Sequence, residues 1–283
     1  MSSTPRTIVV TSANSRTGRD LLPRLAASGE RVIALVRTSE DLPADEVVPD
    51  WRHSSRAVEA LAEASVVIHL SGVFAAAGLE AYQDGNVVST RRVVDSINPA
   101  ARLIYVSYLG ADPAHDNWYL KTKGEAEDLI STVTDSVIFR IDPMVGGNDA
   151  PSSFELMLRQ KAADAPVRIV GDGMQRFRPV YAADVVAAII NAGRGLGKAG
   201  VYDLVGPSDF TITDIAEKIN GRAVPIDRVS LDQAAGLPGP PATVAYLLAN
   251  PTPSSDPDTA GRAFHLTLTR PETKWPIVGP SAS

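Results

Sequence analysis

An α/β fold with a doubly wound parallel sheet and a smaller C-terminal lobe is what this sequence predicts, on three observations. Short, apolar, β-branched runs alternate with longer segments of helical period, the pattern of βαβ units. The first such run, Ile8–Thr11, leads into a polar turn and then a helix, the arrangement of a Rossmann-type sheet. With 283 residues, of which 44% are hydrophobic and 21% charged, the chain is long enough to cover both faces of such a sheet.

The elements follow in order. After the strand Ile8–Thr11, Thr17–Ser28 reads as a helix with Leu21, Leu22 and Leu25 on one face, ended by Gly29. Pro23 removes one of its internal hydrogen bonds and is expected to kink it. Arg31–Arg37 is the second strand and Glu46–Pro49 a weak third, followed by a helix through Ala57–Ala64. Val66–Leu70 is the fourth strand, Asn86–Ile97 a helix, Leu103–Ser107 the fifth strand, Trp118–Thr132 a helix and Ser136–Arg140 the sixth strand. Beyond Pro143 the pattern loosens. Phe154–Ala162, Ala182–Ala192 and Thr211–Asn220 have helical period, Val167–Val170 and Val201–Leu204 that of strands. Residues 1–145 are thus expected to form the core. Residues 146–283 supply the lobe, with about 176–205 returning to the core. Leu237–Pro257, rich in Pro and Ala, receives no element, and 222–262 as a whole stays open.

Composition narrows the function. The formal net charge is -6 with no Lys/Arg cluster, so a surface tracking nucleic-acid phosphates is not expected. No cysteine is present, hence no disulfide, thiolate metal site or cysteine nucleophile. No apolar run is long enough to span a bilayer, and the opening Met1–Thr7 lacks the apolar stretch of a secretory signal. A cytoplasmic protein acting on a small molecule, without a membrane partner, is the expectation. His53, His69, His115 and His265 show no metal-ligand spacing; His69, in an apolar strand, reads as structural. No Gly-x-Ser-x-Gly elbow occurs.

Ligands of such a sheet bind at the carboxyl ends of its strands, and a diphosphate is attracted to the N–H groups at a helix N-terminus. The turn placed there is Thr11-Ser12-Ala13-Asn14-Ser15-Arg16-Thr17-Gly18. It resembles the Thr-Gly-x-x-Gly-x-x-Gly turn of extended and atypical short-chain dehydrogenases/reductases, with Ser12 and Ser15 in place of the first two glycines. Gly18 keeps the third, which lets helix and strand pack closely. A serine Cβ restricts both the backbone angles and the close approach that glycine allows, so cofactor binding could be weakened or lost. The serine hydroxyls could bond phosphate themselves.

The second strand ends in Arg37, where an NAD reader would have Asp or Glu. A guanidinium suits a 2′-phosphate, with Arg16 as its partner, and this resembles the NADP-preferring NmrA-like members of the family. A solvated strand-end charge remains the other reading of Arg37. Asp50 stands where the family places an acid near the adenine, and Ser71-Gly72 follows the fourth strand as a family cofactor loop does. Asp50 could equally cap a helix, and Gly72 end a strand.

Tyr119 and Lys123 form a Tyr-x-x-x-Lys pair on one helix face. In the family the lysine lowers the tyrosine pKa and binds the nicotinamide ribose, and the tyrosine donates a proton as hydride arrives. A helix-start aromatic in the core beside a solvated lysine is the bland alternative. The third member of the family triad, a hydroxyl at the end of the fifth strand, falls on Tyr108; Ser107 is aimed at the opposite face by strand alternation. The triad is therefore incomplete or rebuilt.

Phe139–Gly146 resembles the family's sixth-strand loop, written Arg-Pro-Gly-Pro-Val-Tyr-Gly, and implies that Pro143 lies against the nicotinamide. Val170–Gly173 and Phe177–Val185 resemble the later Gly-Asp-Gly and Pro-Val-x-x-x-Asp-Val stretches, with Asp184 read as a helix cap. Phe74, Tyr82, Tyr108, Met144, Phe154, Met157 and Phe177 are candidates for an apolar pocket. The resemblance covers most of residues 7–221. It implies an NADPH-dependent oxidoreductase of a small carbonyl, enone or quinone-like compound, in the manner of secondary metabolism. A non-redox lyase, cyclase or coupling enzyme, or an NmrA-like nucleotide sensor without catalysis, stays open beside it. A homodimer through helices flanking the sheet is common among relatives and is left open here.

Overall fold

Buried β-branched runs must pair edge to edge, because their main-chain N–H and C=O groups have no other partner once water is excluded. The computed structural model of the chain describes residues 5–147, 151–162, 164–235 and 242–277. Six such runs are β1 (Thr7–Thr11), β2 (Arg31–Leu35), β3 (Glu46–Val48), β4 (Val66–His69), β5 (Arg102–Tyr108) and β6 (Ser136–Ile141). Together with Gly200–Leu204 they form one seven-stranded sheet, in the order Gly200–Leu204, β6, β5, β4, β1, β2, β3. Every neighbouring pair is parallel. The order reverses between β1 and β4, which opens a crevice at their carboxyl ends.

Alternate residues of each strand serve opposite cores, which is why the central residues of these runs are apolar. Val10, Ile68, Ile104 and Phe139 pack with Leu21, Leu22 and Leu25 of α1 (Arg16–Ala26) and with Val185 and Ile189 of the Ala182–Gly193 helix. Val9, Ile33, Val67, Leu103 and Tyr105 pack on the other face against Ala57, Leu61, Val93, Ala126 and Ile130. The Ala182–Gly193 helix and the Gly200–Leu204 strand return from the C-terminal half to this main body.

The lobe is built on short ladders: Met144–Val145 with Val180–Tyr181, Arg176–Phe177 with Phe210–Thr211, and Val167–Val170 with Ile226–Val229. Phe154, Leu158, Ile169, Phe177, Ile212 and Ile215 fill its core. Residues 222–262, open from sequence, carry the Ile226–Val229 strand and helices at Leu231–Ala235, Ala242–Ala249 and Thr259–Ala263; 236–241 lie outside the described residues. No helix among the described residues is long and apolar enough to cross a membrane.

Three elements differ from expectation for local reasons. The helix expected at Asn86–Ile97 is a widened π-type turn, Gln83–Val88, running into Ser89–Ser96. There the buried Asn86 amide accepts from Val73 N–H at 2.8 Å and donates to Thr122 Oγ1 at 2.9 Å, holding the wide turn in place. The helix expected at Phe154–Ala162 stops at Leu158, because the Asn220 amide takes over the end by bonding Leu158 O and Gln160 N–H. Asp184 does not cap its helix. The capping residue is Tyr181, and the Asp184 carboxylate accepts from Thr269 N–H and Oγ1–H, at 2.7 and 3.0 Å, pinning the C-terminal segment to the core.

Candidate functional site

Thr11 ends β1 at the crevice, with its hydroxyl oxygen accepting from Leu70 N–H and Ser71 N–H at 3.1 and 3.2 Å. Its own proton goes to His69 Nδ1 at 2.9 Å, and His69 Nε2 donates to Thr90 Oγ1, whose hydroxyl bonds Asn86 O. Burial, with Lys123 adding to it, pushes the imidazole pKa down to about 3. His69 is thus a neutral strut tying β1, β4 and the next helix together.

Ser12 stands where a glycine was expected and still adopts the glycine's backbone, with φ +47°. Its hydroxyl reaches across the crevice to Ser71 Oγ at 2.8 Å. Ser15 caps α1 by accepting from Gly18 N–H at 3.2 Å. Gly18 is indispensable sterically: a Cβ there would lie 2.2 Å from Ala13 O. Thr17, in the first turn of α1, is half-buried. Asn14 donates to Glu40 at 3.2 Å, and Arg19 holds the same carboxylate. Glu40 is a residue the sequence reading missed. It lies beyond the end of β2, and only the fold swings it over the turn.

The structure does not bring Arg16 and Arg37 together. Arg16 donates to Pro151 O at 2.9 Å and to Gly146 O, bridging the start of α1 to the lobe. Arg37 is exposed past β2, its carbonyl accepting from Asp50 N–H at 3.1 Å. Asp50, φ +45°, carries an exposed carboxylate 2.8 Å from His53 Nδ1, while Ser54 caps the Ser55–Glu63 helix. A Cβ on Gly72 would meet Asn86 Oδ1 at 3.1 Å, so the loop after β4 runs close to the wide turn.

Asn117 caps the Trp118–Ile130 helix by accepting from Tyr119 N–H and Leu120 N–H. This sets Tyr119 and Lys123 on its buried face, 8% and 4% exposed. Lys123 Nζ donates to Val106 O at 2.7 Å and sits 4.0 Å from the Tyr105 ring centroid. Burial lowers its pKa to about 7, with Glu127 opposing. The Tyr119 phenol is pushed above its ordinary range, first by burial and then by Tyr82. Ser107 is buried on the Leu103–Tyr105 face of β5, and its Oγ has no partner among the described residues. Tyr108 lies on the other face, its ring 5.6 Å from that of Tyr119; Phe74 closes on Tyr119 edge-on at 5.2 Å.

These aromatics open onto a cavity of about 210 Å³. Of the apolar candidates, Phe74, Tyr108, Met144, Phe154 and Met157 line it, as does Pro143. Tyr82 packs behind Tyr119, and Phe177 stays in the lobe core against Phe154. A second residue missed from sequence is Asp142. It lines the cavity, is 5% exposed, and accepts from Arg178 N–H. Burial pushes its carboxyl up to about 7, and its charge in turn helps hold Tyr108 in the neutral form. The available signal was a carboxylate in the place of a glycine, flanked by Ile141 and Pro143.

No family model matches the chain. It is 32% identical over 219 residues to the Arabidopsis thaliana protein described as NADH dehydrogenase (ubiquinone) 1 alpha subcomplex subunit 9, mitochondrial, across 71% of this chain and 54% of that protein. The chain therefore spans about half the length of the curated relative it matches. Among solved structures, the Bordetella bronchiseptica enzyme WbmH in complex with NAD+ superposes with a TM-score of 0.73 at 16% identity, covering 95% of each chain. MoeE5 in complex with UDP-glucuronic acid and NAD gives 0.70 at 20% identity, over 93% of this chain and 94% of that one. UDP-glucuronic acid 4-epimerase from Bacillus cereus in complex with NAD gives 0.65 at 18%, over 91% and 96%. The fold is that of these NAD-binding proteins. The sequence kinship over most of this chain and the sheet order agree with the resemblance of its turn and helix motifs to the extended and atypical short-chain dehydrogenases/reductases.

Proposed function

We propose that the chain is an NADPH-dependent reductase of a carbonyl, enone or quinone-like small molecule in the cytoplasm. The observation that carries this reading is the convergence of Tyr119, Tyr108 and Asp142 on one cavity beside Pro143, with Lys123 one helical turn from Tyr119. The dinucleotide's place fits the residues present. Ser12 holds a left-handed backbone where the family has glycine, and Gly18 keeps α1 tight against the turn, which sets the N–H groups heading α1 at the carboxyl end of β1. Those groups would hold the diphosphate, Arg37 a 2′-phosphate and Lys123 the nicotinamide ribose. When bound, the cofactor supplies hydride.

The protein's own task is the proton. A phenol held above its ordinary pKa stays protonated at neutral pH, so Tyr119 is a donor and not a phenolate base. Asp142, close to half protonated near pH 7, is a second donor on the same cavity. Purified protein titrated with NADPH, followed by nicotinamide fluorescence and turnover of test quinones, decides the matter. Binding with turnover supports a reductase. Binding without turnover points to a sensor. The Ser12–Ser71 bridge across the crevice favours the non-redox alternative, and absence of binding by either nucleotide would put a lyase, cyclase or coupling enzyme in front.

Two substitutions sharpen the test. Arg37→Glu is expected to weaken NADPH by about 10- to 100-fold, the worth of one charged hydrogen bond, and NADH far less. Equal losses would contradict the 2′-phosphate assignment. Ser12→Gly removes the hydroxyl spanning the crevice and should tighten NADPH. Its effect on stability should be small, because relief of the left-handed strain, about 1 kcal/mol, offsets a lost hydrogen bond of about the same size. Unchanged nucleotide affinity would show that the bridge is no obstacle.

A further inference from the structure

The 210 Å³ cavity is smaller than the roughly 300–1,000 Å³ of most small-molecule sites, so it takes a reacting head group and little else. Behind it, in the lobe, lies a larger cleft of about 680 Å³. Phe154, Met157 and Leu248 belong to the walls of both, so these side chains form a shared partition between them. Met157, unbranched and half-buried, is the one of the three best able to move aside. The floor of the larger cleft is aliphatic, with Val167 and Ile169 almost fully buried. Three cations stand on its walls: Arg159, Lys161 and Arg168. Arg168 is matched by Asp227 at 3.1 Å, whereas Arg159 and Lys161 form no ion pair with another described residue.

An aliphatic trough that shares the Phe154, Met157 and Leu248 wall with the proton-donating cavity and carries two cations without an ion-pair partner among the described residues is complementary to one kind of molecule. We propose that the substrate is an amphipath: a carbonyl-bearing head that enters beside Tyr119 and Asp142, and a hydrocarbon tail with an anionic group that lies in the lobe cleft against Arg159 and Lys161. This rests on the reductase reading for the head and stands by itself for the tail. Sugar-like ligands, whose hydroxyls need partners everywhere, would leave most of that wall unused.

The tail site is tested with dansylaminoundecanoate as a fluorescent probe, displaced by saturated carboxylates and the matching alcohols. Affinity should rise by up to about fourfold per methylene over chains of about six to fourteen carbons. Carboxylates should exceed alcohols by about tenfold, as one charge-assisted contact implies, and Arg159→Glu with Lys161→Glu should erase that advantage. Met157→Trp, which fills the neck, should abolish any preference in kcat/KM for long-chain over short-chain carbonyl substrates. A flat chain-length series, or carboxylates no better than alcohols, would overturn the proposal. NADPH titration of the same sample keeps the two readings apart. Tail binding without nucleotide binding sinks the reductase alone, and nucleotide binding with a flat series sinks the tail site alone.

Discussion

Gly18→Val should lower the free energy of unfolding by about 3 kcal/mol, the upper end of what overpacking usually costs, and shift the denaturant midpoint accordingly. The first added carbon would already fall 2.2 Å from Ala13 O and 2.6 Å from Ala13 C. Both are main-chain atoms of the turn, and Ala13 N–H is itself bonded to Leu35 O. No rotamer change can yield that space. Either α1 tilts off the sheet, exposing Leu21 and Leu22, or the turn gives up its left-handed Ser12. A midpoint within error of the parent would mean that the close approach of α1 is not what fixes this turn. Nucleotide binding should be lost with it, since the helix N-terminus moves.

The second large effect runs the opposite way. Lys123→Met should raise stability at pH 6 by about 2–4 kcal/mol while lowering turnover at least about 100-fold. The fold depresses the lysine pKa from 10.5 to about 7, because burial disfavours the cation. Between those two values the unfolded chain binds more protons than the folded one, so stability increases as pH rises through that window and is lowest below pH 7. Methionine removes this slope. The hydrogen bond given up at Val106 O, about 1 kcal/mol, only trims the gain. Denaturant unfolding of both proteins at pH 6 and pH 10 reads it directly. Parallel curves at the two pH values would show that Lys123 carries no such strain. Glu127, Tyr105, Tyr119 and His69 are the titratable groups around it, and of these Glu127 opposes the shift. A buried cation retained at the expense of stability is characteristic of a site kept for chemistry.

The sheet was legible because burial on both faces leaves a periodic trace. Val9 and Val10 face opposite cores, so Ile8–Val10 had to be apolar at successive positions, and the same logic located β4, β5 and β6. The Tyr119/Lys123 pair was legible because helix spacing alone puts two such residues on one side. What stayed hidden depends on contacts between distant segments. Nothing near Glu40 in sequence announces that Arg19 and Asn14 will hold it over the turn. Arg16 looked like a partner for Arg37, yet its carbonyl acceptors lie more than a hundred residues away, at Gly146 and Pro151. Asp184 has the composition of a cap, and its partner, Thr269, comes from a segment that carries no pattern. Asp142 is ordinary in sequence and becomes unusual only when Ile141, Pro143 and the Arg178 backbone enclose it.

The span of Arg16 has a thermodynamic consequence. One guanidinium is anchored at the foot of α1, holds the carbonyls of Gly146 and Pro151, and itself lines the cavity beside Tyr119. An anion arriving at the helix end that recruits this side chain must draw it off the Gly146 and Pro151 carbonyls, and a cavity ligand that favours those two contacts must hold the side chain away from the anion. The two ligands therefore change each other's dissociation constant by the same factor, whichever binds first. Order of addition will alter the path but not the final occupancy.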